Sequence, residues 1–218
     1  MKIKVYIIPL VIFSLLLVGA KPIINSNSPS FFDLNEQAII ENGDFIENGV
    51  KMNYSSKLDI ETEYERLIKE LASKYNIEVK DINLSSNKIT YNDKNKSIKI
   101  VLWNEENETK VEMIYTNNNN SKSSILLKKE MEELQDNNCT KQKYCSFVKG
   151  KIIKESYEKI EEVLKNSVKK DTLEVLDIHN GYTATAMLKD GQRINIGYMK
   201  YDLGRQIIIG TPVIFTTY

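Results

Sequence analysis

Four sets of side chains have types and spacings that could do chemistry. His179, the single histidine among 218 residues, follows Asp177 by two positions. Residues two apart in a strand share a face, so the pair could bind a metal or exchange a proton. No third ligand lies nearby, and a surface pair at a strand end is the simpler reading. Asp81 and Asp177 fall at matching places of an internal repeat and could flank a substrate, although such pairs more often mark a shared turn chemistry. Cys139 and Cys145 are the two cysteines. They are a candidate disulfide closing a short loop before a strand, worth about 2 kcal/mol; the alternative is two free thiols. Their spacing fits neither a C-x-x-C redox pair nor, with one histidine, a zinc set. Lys141, Lys143, Lys149, Lys151 and Lys154 surround Tyr144 and Phe147. This cluster could bind an anionic polymer or lipid headgroups, or it could guard an edge strand against aggregation. No G-x-S-x-G, H-E-x-x-H, P-loop or dinucleotide fingerprint is present. No catalytic, metal or cofactor-binding residue is therefore assigned.

The elements that must position these residues begin after a separate N-terminal segment. Lys2 and Lys4 precede an apolar run from Val5 to Ala20 that ends in Val18-Gly19-Ala20. This is the layout of a secretory signal peptide, residues 1–20, with a mature start at Lys21. A retained membrane anchor is the alternative, although the run is short for a span of roughly 20 residues. Residues 21–31 form a polar, proline-punctuated leader. Without Lys2 and Lys4, 28 of the 30 basic residues remain against 30 acidic ones. That balance gives little general attraction for phosphate and argues against nucleic acid as a partner.

The mature chain reads as one α+β domain, 32–218. A short helix from Leu34 to Asn42, capped by Asp33, leads into an extended segment at 44–56. Asp59–Lys74 has the periodicity of an amphipathic helix. Short apolar alternations follow at Ile77-Val79, Lys88–Tyr91, Ile98–Leu102 and Val111–Tyr115, an antiparallel meander. After a helix over Ser121–Gln135 the order recurs: extended Phe147–Ile153, helix Glu155–Lys169, and strands Thr172–Ile178, Thr183–Leu188, Arg193–Tyr198 and Ile207–Phe215. A constant offset of 96 residues relates Tyr64 to Ile160, Leu67 to Val163, Ile98 to Ile194 and Val111 to Ile207. The ungapped match runs from Asp59 to Tyr115 and pairs Asp81 with Asp177. The repeat, 32–117 and 121–218, predicts two pseudo-symmetric halves, each a helix on a meander, joined into one curved sheet with an open face.

The tail Arg193-Ile194-Asn195-Ile196-Gly197-Tyr198, with Gly210-Thr211-Pro212 inside Ile207–Tyr218, resembles the C-terminus of YwmB-family proteins. Phe32–Ser56 resembles the opening helix and strand of that family. The resemblance covers most of the mature chain through loose motifs. It implies a saddle of the TATA-box-binding-protein-like kind in an exported Gram-positive protein, and it carries no functional residues over. The expectation is an extracytoplasmic, non-catalytic envelope protein that binds a peptide, a wall polymer or another protein. The alternative is an envelope enzyme whose site is not visible in the sequence. DNA binding is not expected. Contact with a membrane would come only through an uncleaved N-terminal segment.

Overall fold

Ser30 and Asp33 form a reciprocal capping box, the Ser30 amide donating to the Asp33 carboxylate at 2.7 Å and the Asp33 amide to the Ser30 hydroxyl at 3.2 Å. This starts helix α1 (Phe31–Asn42) three residues before the expected Leu34, because Ser30 and not Asp33 is the cap. The computed structural model describes residues 29–152, 157–202 and 204–216. The expected signal peptide and most of the leader lie outside them. Among the described residues, no helix is long and apolar enough to cross a membrane.

The chain continues through β1 (Asp44–Ser56), α2 (Ile60–Tyr75), a 3₁₀ turn (Val79–Asp81), β2 (Asn83–Ser85), β3 (Lys88–Asn92), β4 (Lys96–Glu105), β5 (Glu108–Asn117) and α3 (Ser124–Glu132). Then come β6 (Cys139–Ile152), α4 (Tyr157–Ser167), a second 3₁₀ turn (Lys170–Thr172), β7 (Glu174–Ile178), β8 (Gly181–Met187), β9 (Arg193–Tyr201) and β10 (Gly204–Thr211). The fold is α+β. Among the described residues the strands form one antiparallel ten-stranded sheet in the order β2-β3-β4-β5-β1-β6-β10-β9-β8-β7. The two longest strands, β1 and β6, pair in its middle, from Asp44 opposite Lys151 to Ser56 opposite Cys139.

Alternation along the strands sends one face to the helices. On that face Val50, Met52, Ile98, Ile100, Val111, Met113 and Tyr115 pack against Leu67 and Leu71 of α2 and Leu127 and Met131 of α3. In the other part of the sheet Val148, Ile194, Ile196, Ile207 and Ile209 pack with Phe32 and Ile39 of α1 and Ile160 of α4. Asp59 caps α2 by accepting from the Thr62 amide at 2.9 Å, and Asn76, in the left-handed region at φ 50°, ends it.

The register carries the offset read from the sequence. Met52 pairs Met113, and Val148 pairs Ile209; Ile100 pairs Met113, and Ile196 pairs Ile209. The match is not ungapped, however. The turn at Val79–Asp81 has its positional counterpart at Lys170–Thr172, five residues earlier than that offset demands. Asp81 therefore lies in a 3₁₀ turn and Asp177 in a strand, so the two are not equivalent carboxylates.

Other departures have local causes. The extended stretch expected at Phe147 begins at Cys139, because β1 on one side satisfies the backbone of the polar Thr140–Lys143 run. Pro212 lacks a donor, so β10 stops at Thr211 and not at Phe215. Past Pro212 the chain turns back over the helix-free face: Ile214 lies against Gly210, and the Phe215 ring meets Phe147 edge-on at 5.0 Å.

Candidate functional site

Period-two alternation assigns the helix-free face directly. Its residues are the odd-numbered ones of β1 from Glu47, of β4 and of β6 from Lys143, and the even-numbered ones of β5 and β10, opposite to the buried set; bulges reverse the parity beyond these points, so Phe45 and Cys139 turn to the helix side. In one cross-strand row Lys99 pairs Ile114, which pairs Lys51, which pairs Cys145. In the next, Lys88 pairs Val101, and the row continues through Glu112 and Asn53 to Lys143. At the usual strand spacing Lys99 and Lys51 stand about 10 Å apart, and Lys88 and Lys143 about 19 Å apart. Glu112 is the one acid within these two rows and pairs with Lys51 at 3.5 Å. Trp103 is exposed on the same face of β4.

The lysine cluster of the sequence contributes to this face, but not as an edge. β6 is a central strand, so its lysines do not guard an edge; Lys143, Lys149 and Lys151 project from one face in mid-sheet. Lys141 pairs with Glu108 at 2.7 Å, and Lys154 lies outside the described residues. Phe147 shares the face but is buried. It lies over Gly49, where a Cβ would come within 2.5 Å of its ring, and under Phe215. The Lys51 ammonium is 5.6 Å from the Phe215 ring centre.

The other sequence candidates do not assemble. Cys139 and Cys145 are free thiols at opposite ends of one extended run, correcting the candidate disulfide. Six residues of strand span roughly 20 Å, whereas bridged Cα atoms lie within about 7 Å of each other. Burial pushes both thiols up. His179 is exposed in the β7–β8 turn and so does not share a strand face with Asp177. Among the described residues no three His, Cys, Asp or Glu side chains are placed to hold a metal ion.

Two buried polar networks carry no signal in the sequence: the first is built from residues distant in the chain, and the second exists only because α2 packs on β1. Glu36 of α1 accepts from the Asn48 amide at 2.8 Å and from the Ser124 amide and hydroxyl at 2.9 and 2.6 Å. It thereby satisfies the start of α3, where Ser123 provides no side-chain cap. Asn48 in turn accepts from Asn117 at 2.8 Å, joining α1, β1, β5 and α3. Burial raises the Glu36 carboxyl above its ordinary range, against the hydrogen bonds from Ser124 and Asn48 that lower it. A carboxyl raised by folding stabilises the fold below its unfolded pKa, and that contribution is lost as pH rises through the folded value. Glu36→Gln should therefore gain stability relative to the parent between pH 4 and pH 7, measured by urea unfolding at each pH. A difference that moves the other way would show that the hydrogen bonds outweigh burial.

The second network joins Tyr54, Glu63 and Arg66 beneath α2. The Tyr54 hydroxyl donates to Glu63 at 2.6 Å, and Arg66 holds both Glu63 oxygens at 2.7 and 2.9 Å. Burial, then Glu63, pushes the Tyr54 hydroxyl up, so it stays protonated. Every donor here has a protein partner, so the network is a structural brace and offers no open coordination or proton-transfer position.

Shallow grooves complete the surface. One of about 350 Å³ lies between the starts of α1 and α3 and is lined by Ser30, Asp33, Ser124, Ile125, Lys128 and Tyr144. Both helix starts there are already satisfied, by Asp33 and by Glu36, which leaves no positive end for an anion. The chain matches no family model, and no curated relative matches its sequence.

Proposed function

We propose that this is an exported, non-catalytic envelope protein of the YwmB type that holds an extended anionic polymer on the helix-free face of its sheet. The observation that carries the reading is the lysine array of Lys51, Lys88, Lys99 and Lys143, spread across five adjacent strands with Glu112 as the single acid among them. A polymer with repeating negative charge can contact several of these ammonium groups at once, and each contact contributes on the order of 1 kcal/mol. The N-terminal layout and the tail motif support export and the family. The strand order and the shared register offset support two pseudo-symmetric halves forming a saddle. The brace-like character of the buried networks favours a binding protein over an enzyme.

The test uses purified protein and a defined anionic wall polymer, with binding followed by anisotropy at several salt concentrations. Binding should weaken with salt, and Lys51→Glu/Lys99→Glu should reduce affinity at least about tenfold. Unchanged affinity in the double variant sinks the proposal. Duplex DNA is a poorer occupant. Proteins that bend DNA from the minor groove insert apolar wedges between base steps, and Phe147, the central aromatic of this face, is buried under Phe215. Gel-shift titration at physiological salt should show no sub-micromolar duplex complex.

A further inference from the structure

The opposite end of the sheet poses a separate question. β7 closes the sheet, and among the described residues β8 is its one strand partner. Backbone groups on its outer side are therefore available for pairing. Natural edges are usually blunted by lysines, a proline, a bulge or extreme shortness. β2, at the other edge, is three residues long. β7 has five residues in unbroken register with β8 and contains neither lysine nor proline. Its side chains are unusually bare: Val175 is 57% and Leu176 66% exposed, and Leu173 just before it is 46% exposed. Val175 pairs the buried Ala184, so it lies on the helix side, and Leu176 lies on the opposite face. An added strand would cover apolar groups on both faces.

Charge decides which strand fits. Asp171, Glu174 and Asp177 are exposed along this edge. A second copy pairing antiparallel about Leu176 would bring Glu174 and Asp177 of both chains to the seam, each opposite an apolar residue, Ile178 or Val175, with no cation to offset the covered carboxylate, which is unfavourable. A segment with two basic residues three apart and two apolar residues between them would instead set its apolar side chains opposite Val175 and Leu176 and one ammonium or guanidinium group opposite each of Glu174 and Asp177, one on either face. We infer that β7 is a docking edge for an extended, basic and apolar segment of a partner protein, taken up as an additional antiparallel strand. This inference does not depend on the lysine face.

The probe is a blocked peptide built on Lys-Val-Val-Lys, with the Glu-Val-Val-Glu counterpart as control, added to the full chain. Expected are saturable, salt-weakened binding of the basic peptide and slowed hydrogen exchange confined to Val175–Ile178 and the facing β8 amides. Leu176→Lys and Glu174→Lys/Asp177→Lys, all at exposed positions, should each weaken binding at least tenfold, with an unchanged unfolding midpoint reporting an intact fold. Equal binding of the acidic peptide, protection located elsewhere, or no binding at millimolar peptide would each overturn the inference. Concentration-dependent dimerisation of the chain alone, abolished by Leu176→Lys, would overturn it in favour of self-association.

Discussion

Arg66→Ala is expected to destabilise the protein by about 3–5 kcal/mol, because it leaves a buried carboxylate without its counter-ion. The Glu63 side chain is fully buried and that of Arg66 is 16% exposed. Arg66 also donates to the Leu134 carbonyl at 2.8 Å and stands 3.7 Å from Asp136, so it ties α2 to the segment that enters β6. Burial alone would pull the guanidinium pKa down, and its bonds to Glu63 more than restore it. The cost should be mostly that of the stranded partner. Tyr54→Phe/Glu63→Leu/Arg66→Met, which removes the polar set together, should therefore recover at least half of the loss. Equilibrium urea unfolding measures both. A loss under about 1 kcal/mol in Arg66→Ala would show that Glu63 reaches water or takes up a proton at no great cost.

Phe147→Ala is expected to cost a similar amount, about 3–5 kcal/mol, for a different reason. The ring is fully buried although it lies on the helix-free face, roofed by Phe215 and floored by Gly49. Neither boundary can move in readily: Gly49 has no side chain to fill the space, and Asn195 holds the turning segment by donating to the Pro212 carbonyl. Phe215→Ala removes only the roof and should cost less. A double-mutant cycle on the two rings should give a coupling of about 0.5–1.5 kcal/mol. Additive losses would place Phe215 away from Phe147 in solution.

Period and punctuation made much of this architecture legible. Tyr64, Leu67, Ile68 and Leu71 gave α2 its apolar face, and the alternation at Ile98–Leu102 and Val111–Tyr115 gave two strands with the correct inward side. Asp33 fits a cap by sequence but is the third helical residue of a capping box, since one sequence position supports either role. The Thr140–Lys143 run carried no apolar signal, and only its pairing to β1 makes it a strand. The Val79–Asp81 turn hid within an apparently constant offset, because an apolar residue there matched a strand residue by chance. Of the candidate sites, the β6 lysines are visible as a cluster but the shared face is not, since three of the four array members, Lys51, Lys88 and Lys99, lie on strands far from β6 in sequence. Glu36 and Glu63 have the look of ordinary helix-surface acids in sequence; donors far along the chain enclose the first, and the packing of α2 on β1 encloses the second.

The seam between β1 and β6 also governs how the chain can come into being. β1 is complete by Ser56, yet the strand that covers one of its edges arrives only with Cys139–Ile152. Closing so long a loop costs little more than closing one half its length, but it takes time that depends on delivery. While residues emerge one by one from a ribosome or a translocation pore, Val50, Met52 and Tyr54 form part of a strand with one bare edge. A pause before Cys139 would hold β1 with that edge bare, and a pause after Ile152 would pass the bare edge to β6, whose second partner arrives only with Gly204–Thr211.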